Sequence, residues 1–264
     1  MNNDIIITSL QNPLIKNWRA LNKSRSQRIS QGVFLAEGEH MASEALQEKK
    51  ARALLIEADA RDHYAHLLTD AKKQGIDIHV LASHVMAAVC DAKTPQGVVA
   101  LCPYPTADLP DDPGELLVAL DGVQDPGNVG TILRTMDAAG FHGLLMNDQC
   151  ADPYAPKALR ASMGGVFRIP AYRCTDLPQT LGGLAARGYD ILAGDLHGED
   201  LFNRRCAKKK ACIIIGNEGA GISDAVRAAA TLRLKIPMVG GAESLNAAVA
   251  GAIMMYDLLR ERKG

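Results

Sequence analysis

The stretch LLVALDGVQDPGNVGTILRTMDAAGFHGLLM at 116–146 holds the clearest alternation of patterns in the chain. Leu116–Asp121 is a continuous apolar run stopped by Gly122, as expected of a strand buried on both faces. Val129, Ile132, Leu133 and Met136 then recur at i, i+3, i+4 and i+7, the spacing of an amphipathic helix, and Gly140 ends it. Gly143–Met146 reads as the next strand. Further buried strands are expected at Ile191–Ala193, Cys212–Ile215 and Leu232–Ile236, with a closing alanine-rich helix over Ser244–Arg262. Strand and helix alternating in this way predict a largely parallel α/β sheet covered on both faces.

Working outward, CPYPTADLPDDPGE at 102–115 carries prolines and acids with almost no apolar periodicity, and reads as a linker. It separates an N-terminal domain, 1–101, from a C-terminal one, 116–264. The N-terminal part reads as a small α/β unit. Helices are expected at Pro13–Asn22, Glu39–Gln47 and Asp59–Gln74, and strands at Ala53–Glu57, Ile76–Val80 and Gly97–Leu101.

Apolar residues make up 47% of the 264-residue chain and charged ones 22%, as in an ordinary globular protein. No apolar run approaches the ~18 residues needed to cross a bilayer, and the N-terminus does not resemble a signal peptide, so a cytoplasmic protein without membrane contact is expected. The six cysteines are scattered without a CxxC pair, which argues for inert thiols and no metal site. His63 and His66 have helical spacing but sit among polar neighbours on what reads as a solvated face. Net charge is −1, against a protein that coats nucleic acid. Locally the balance differs. Lys16, Arg19, Lys23, Arg25 and Arg28 face only Asp4 within the first 36 residues, and Arg204, Arg205, Lys208, Lys209 and Lys210 form a second cluster. Basic patches on a neutral protein fit a locally docked polyanion, and Arg19, Lys23, Arg25 and Arg28 are its candidate contacts.

Three glycine-bearing loops each follow an expected strand, where ligands bind in open parallel sheets. They are DGVQDPGNVGTILR at 121–134, IIIGNEGAGIS at 213–223 and IPMVGGAESLNAAVA at 236–250. Gly219-Ala220-Gly221 begins a dinucleotide fingerprint, but Asp224 stands where the third glycine belongs, so a nicotinamide-dependent oxidoreductase fits poorly. Neither a P-loop nor a GxSxG elbow occurs. Asn128 sits where a helix N-cap is expected. Arg134 lies six residues on, about 9 Å of helix rise, and can reach back toward that turn as an anion clamp or pair with Asp137 or Asp125. Capping would account for Ser244. Asn246, beside an apolar alanine run, and Glu218, just past an isoleucine strand, are polar groups that need partners.

Asn128-x-Gly130-x3-Arg134 with Gly140, then Gly216-Asn217-Glu218-Gly219, then Ile236-Pro237-Met238 with Ser244-Leu245-Asn246, resemble the three motifs of the SpoU/TrmH branch of the SPOUT RNA methyltransferases. KALRASMGGVFRIP at 157–170 resembles the family's intervening segment. SLQNPLIK at 9–16, FLAEGEH at 34–40 and TPQGVVAL at 94–101 are similar to its substrate-binding domain. The resemblance implies a deep trefoil knot in the C-terminal domain, a homodimer, and S-adenosylmethionine as the methyl donor for a ribose 2′-hydroxyl in RNA, ribosomal in preference to transfer RNA. It implies a cofactor pocket of Leu192, Ala193, Gly194, Gly216, Asn217, Gly219, Ile236, Met238 and Leu245. Asn128, Arg134, Glu218, Ser244 and Asn246 would stand in or around catalysis. Asp137 departs from the small residue usual in the family. A catalytically silent RNA-binding relative on the same fold is the alternative, separable by whether the donor binds.

Overall fold

A computed structural model describes residues 5–203 and 209–263. Arg204, Arg205, Cys206 and Lys208 of the second basic stretch lie outside the described residues. Two compact units form, one of Met1–Pro105 with Tyr154–Phe167 and the other of Thr106–Pro153 with Arg168–Gly264.

The first unit runs β1 (Ile6–Ile7), α1 (Pro13–Lys23), α2 (Arg25–Gln31), β2 (Val33–Glu37), α3 (Glu39–Gln47), β3 (Ala53–Glu57), α4 (Ala65–Lys73), β4 (Asp77–Leu81), α5 (Ser83–Val89) and β5 (Val98–Pro103). Its mixed sheet has the order β1-β4-β3-β5-β2, with β5 antiparallel to both neighbours. Residues Ile15, Trp18 and Leu21 of α1 pack with Val85, Met86 and Val89 of α5 in the core on one face. The expected helix over 59–74 is interrupted: a 3-10 turn at Ala58–Ala60 precedes α4. The last strand continues two residues past Leu101, because Cys102 and Pro103 pair with Phe34 and Val33. Here too lie α7 (Pro156–Ser162) and the start of α8 (Gly165–Arg168). Phe34 meets Tyr154 and Phe167 at ring-centroid distances of 4.8 and 6.2 Å.

Arg28, expected among phosphate-facing cations, is buried at 4% exposure, and its guanidinium donates to the Leu21 carbonyl oxygen. It satisfies a carbonyl at the end of α1, where helix carbonyls lack intrahelical partners, and so serves the fold.

The second unit continues with β6 (Leu116–Asp121), α6 (Pro126–Ala139), β7 (Gly143–Met146), β8 (Ala171–Arg173), α9 (Leu177–Ala186), β9 (Asp190–Asp200), β10 (Ala211–Gly216), α10 (Asp224–Ala228), β11 (Leu232–Lys235) and α11 (Ala247–Lys263). All six strands are parallel, in the order β11-β9-β10-β6-β7-β8. Every residue of β6 is buried, which accounts for its unbroken apolar run. Helix α6 starts earlier than expected: Asp125 caps it, accepting from the Gly127 amide at 2.5 Å, and Pro126 opens it. Asn128 therefore occupies the third helical position, not the cap. Gly140 ends the helix at φ 72°, a left-handed conformation that glycine adopts without steric cost.

A large departure from expectation lies in β9. Strand β9 runs far beyond Ala193, through polar residues that hide its extended backbone. Against β11, Arg233 pairs with Ala193 but Leu234 with Glu199, so residues 194–198 swing out of register. Replacing Arg28 with methionine should destabilise the chain by about 2 kcal/mol, the cost of an unmet carbonyl and a lost charged donor, measured as a lower urea midpoint. RNA affinity of the folded protein should not change.

Candidate cofactor and methyl-transfer site

The parallel pairing of β6 with β10 sets Asp121 opposite Gly216, so the loops that follow both strands emerge side by side. Asp121 is buried and accepts from the Asn147 amide at 2.7 Å and from the Ser223 N–H at 2.7 Å. Asn217 donates to the Gly122 carbonyl at 2.8 Å, while its own side-chain oxygen accepts from the amides of Gly219 and Ala220. Two backbone bonds of 2.9 Å between Asn217 and Gly221 close the second loop into a tight hairpin. A Cβ on Gly216 would stand 2.3 Å from the Gly221 carbonyl carbon, so only glycine permits this approach.

Beside these loops opens a cavity of about 420 Å³. Of the residues implied for the cofactor, Gly194, Gly216, Asn217, Gly219, Ile236, Met238 and Leu245 line it, and so do Glu218 and Ser244 from the catalytic set. Leu192 and Ala193 do not; they are buried inside the sheet at 1% and 0% exposure. The wall is made instead by the out-of-register excursion, which places Gly194, Asp195, Leu196 and His197 on the cavity. These last three, with Arg227 and Glu243, escaped sequence reasoning. Their signal was only a run of mixed polarity after a short apolar strand. Gly194 faces Met254 of α11, whose sulfur would be 3.2 Å from a Cβ there. Two glycines hold the backbone close and leave room for a ligand, with peptide groups, carboxylates and a thioether for company. These lining groups suit an amphipathic molecule with both polar and apolar parts.

Three of the implied catalytic residues join in one chain of hydrogen bonds. Asn246, rather than Ser244, caps α11, its side-chain oxygen accepting from Ala248 at 2.9 Å and Val249 at 3.3 Å. That commits its NH₂ group, which donates to the Asn128 side-chain oxygen at 2.9 Å. Asn128 in turn donates to Glu218 at 2.8 Å. The Glu218 carboxylate also accepts from the amides of Gln124 and Asp125 at 3.3 and 3.4 Å. Burial alone pushes this carboxyl up. The bonds from Asn128 and the backbone amides outweigh it, so the group sits below its ordinary range and stays ionised at neutral pH.

Arg134 is exposed on α6. Among the described residues no carboxylate pairs with it. Asp137, which sequence spacing offered as its partner, is gripped by Arg168 at 2.9 Å, with the Arg168 Nε a further 3.0 Å from the other oxygen. In the first unit, Lys23 is exposed and Arg19 and Arg25 are half-buried on or beside α1. Lys209 and Lys210 pair with Glu115 and Asp112 at 2.9 and 3.9 Å.

Among the described residues no three His, Cys, Asp or Glu side chains cluster to hold a metal ion, and no helix is long and apolar enough to cross a membrane. The described cysteines are free, and burial pushes the thiols of Cys102 and Cys212 up. His66 pairs with Glu39 at 3.6 Å, while His63 packs edge-on to Tyr64.

Residues 115–256 match the SpoU rRNA methylase family, and residues 12–100 match an MRM3-like substrate-binding domain. The chain is 35% identical, over 96% of its length and 98% of the relative's, to the 23S rRNA (guanosine(2553)-2′-O)-methyltransferase RlmP of Bacillus subtilis. It is 33% identical to the 23S rRNA (uridine(2479)-2′-O)-methyltransferase of Streptomyces viridochromogenes, over 97% of this chain and 92% of that one. An AdoMet-bound rRNA methyltransferase from Sinorhizobium meliloti superposes with a TM-score of 0.85 at 32% identity, over 97% of both chains. With two motif loops lining one cavity, the third hydrogen-bonded to them, and both parts of the chain matched in order, the protein belongs to the SpoU rRNA methylase family.

Proposed function

We propose that this chain is an S-adenosylmethionine-dependent methyltransferase of ribosomal RNA, acting on a ribose 2′-hydroxyl. The observation that carries the reading is that two sequence-distant motif loops line one cavity while the third is joined to both by the Asn246–Asn128–Glu218 hydrogen bonds. Relatives bearing that activity by name align over nearly the whole chain.

In the proposed mechanism S-adenosylmethionine, bound in this cavity, supplies a methyl group activated by a sulfonium. Gly216, Asn217, Gly219 and Leu245 would hold it through backbone groups, with Ile236 and Met238 against its apolar parts. Transfer to the ribose 2′-oxygen would leave S-adenosylhomocysteine behind and release the hydroxyl proton to solvent water. Alignment of the two reactants is therefore much of the task. Arg134 is assigned to the RNA side, gripping the adjacent phosphate and stabilising the charge that develops on the 2′-oxygen. Arginine keeps its proton at neutral pH, which favours this electrostatic role over that of a base. Glu218, Asn128 and Asn246 hold the first turn of α6, and with it Arg134, in fixed relation to the cavity. Ser244, on the cavity lining, is assigned to meet donor or ribose.

The 2′-hydroxyl distinguishes RNA from DNA, and the first unit is proposed to position folded RNA through Arg19, Lys23 and Arg25. The family resemblance further supports a homodimer, a trefoil knot within residues 116–264, and the domain division at 102–115.

Comparing 2′-O-methylation across total RNA with and without the gene should reveal one lost position in ribosomal RNA; loss confined to transfer RNA would overturn the substrate class. Arg134→Ala should lower kcat about a hundred-fold or more, with Arg134→Lys retaining measurable turnover. Equal loss in both would argue against charge stabilisation as the main role. Neutralising Lys23 and Arg25 together should weaken RNA binding several-fold and flatten its salt dependence, as read by filter binding across a salt series. Turnover at saturating RNA should hold.

A further inference from the structure

The residues of the cavity wall that sequence motifs did not announce are also the ones most elaborately tied down. Where β9 leaves register, Gly198 passes so close to β11 that a Cβ would stand 2.5 Å from the Arg233 carbonyl carbon, which pins the far end of the excursion. Its near end is held by charge. The Asp195 side chain is only 9% exposed, and its Oδ2 lies 3.3 Å from Arg227 Nε and 3.9 Å from Arg233 Nη1. The other oxygen, Oδ1, accepts from the His197 amide at 2.9 Å, folding the excursion on itself.

Arg227 reaches in two directions. From the start of the chain after β10, its Nη2 donates to the Ile222 carbonyl at 2.7 Å, beside the tight Asn217–Gly221 hairpin. Its Nη1 bonds Asp224 at 2.5 Å, but that carboxylate is 97% exposed, and such a pair contributes little. The bond to Asp195 differs, because this carboxylate is largely withdrawn from water and, without the half-exposed Arg227, keeps only the longer contact to Arg233. One planar guanidinium thus joins the β9 excursion to the loop after β10, and both Asp195 and Arg227 line the cavity.

We infer that Arg227 and Asp195 form a strap across two walls of the cavity, and that this strap sets the width of the S-adenosylmethionine site. Both are positioning residues for cofactor binding. The inference rests on the proposed reading of the cavity as the donor site. A lysine at 227 can reach Asp195 but lacks the fork to hold the Ile222 carbonyl at the same time.

Calorimetric titration of the full chain with S-adenosylmethionine and with S-adenosylhomocysteine tests this. Arg227→Met should weaken both about ten-fold and Asp195→Asn several-fold, with Arg227→Lys between wild type and Arg227→Met. In turnover assays KM for the donor should rise in step while kcat at saturating donor changes less than about two-fold and KM for RNA holds. Gly216→Val, whose Cβ would collide with the Gly221 backbone and force open the hairpin that lines the cavity, should abolish donor binding. If Gly216→Val abolishes binding but Arg227→Met and Asp195→Asn bind as the wild type does, the strap is overturned and the cavity reading stands. A fall in kcat at unchanged KM also overturns it. Unimpaired binding by Gly216→Val would overturn the cavity reading, and the strap with it. Should Arg227→Met fail to fold, Asp195→Asn and Arg227→Lys carry the same comparison.

Discussion

The side-by-side parallel registration of β6 and β10 is the constraint from which the rest of the second unit follows. It is a backbone ladder between two buried strands that are apolar up to Asp121 and Gly216, and it leaves no freedom in where their loops emerge. Once Asp121 and Gly216 are neighbours, a buried carboxylate and a side-chain amide can each bridge to the other loop. A buried carboxylate is costly unless its oxygens are met, so Asp121 enforces the geometry as much as it benefits from it. The cavity then lies between the loop after β10, the out-of-register excursion of β9 and the segment that leads into α11.

Much of this was legible in residue patterns, and the reasons are specific. Strands β3, β6 and β7 and helix α3 fall where apolar periodicity places them, because each is bounded by glycine or by an abrupt change in polarity. The motif loops were legible because glycine and asparagine at their positions answer to backbone needs: Gly140 takes a left-handed φ and Gly216 a close approach. Helix starts were less legible. Asp125 and Asn128 both suit a cap, as do Ser244 and Asn246, and only the fold shows which side chain meets the amides.

Other elements left weak traces. Helices α2, α5 and α9, strand β8 and the polar half of β9 are short, edge-placed or mixed in polarity, so tertiary contacts settle their form. Charge was the least reliable guide. Arg28 looks like Lys23 in a list of cations, yet one is buried on a carbonyl and the other is solvated. Asp137 was three residues from Arg134 in the chain, but Arg168 arrives from α8 to take it. Pairings between distant residues cannot be read from local spacing.

Asn246 carries a consequence of its own. The same side chain closes the N-terminus of α11 and orients the amide that steadies Glu218. Aspartate, serine or threonine could perform the first task, but only a group with an acceptor at one branch and a two-hydrogen donor at the other performs both, and glutamine is a methylene too long. Folding and chemistry are therefore soldered at a single side chain, so neither can be tuned there without disturbing the other. The direction of every proton along the three-residue line is dictated from the helix end.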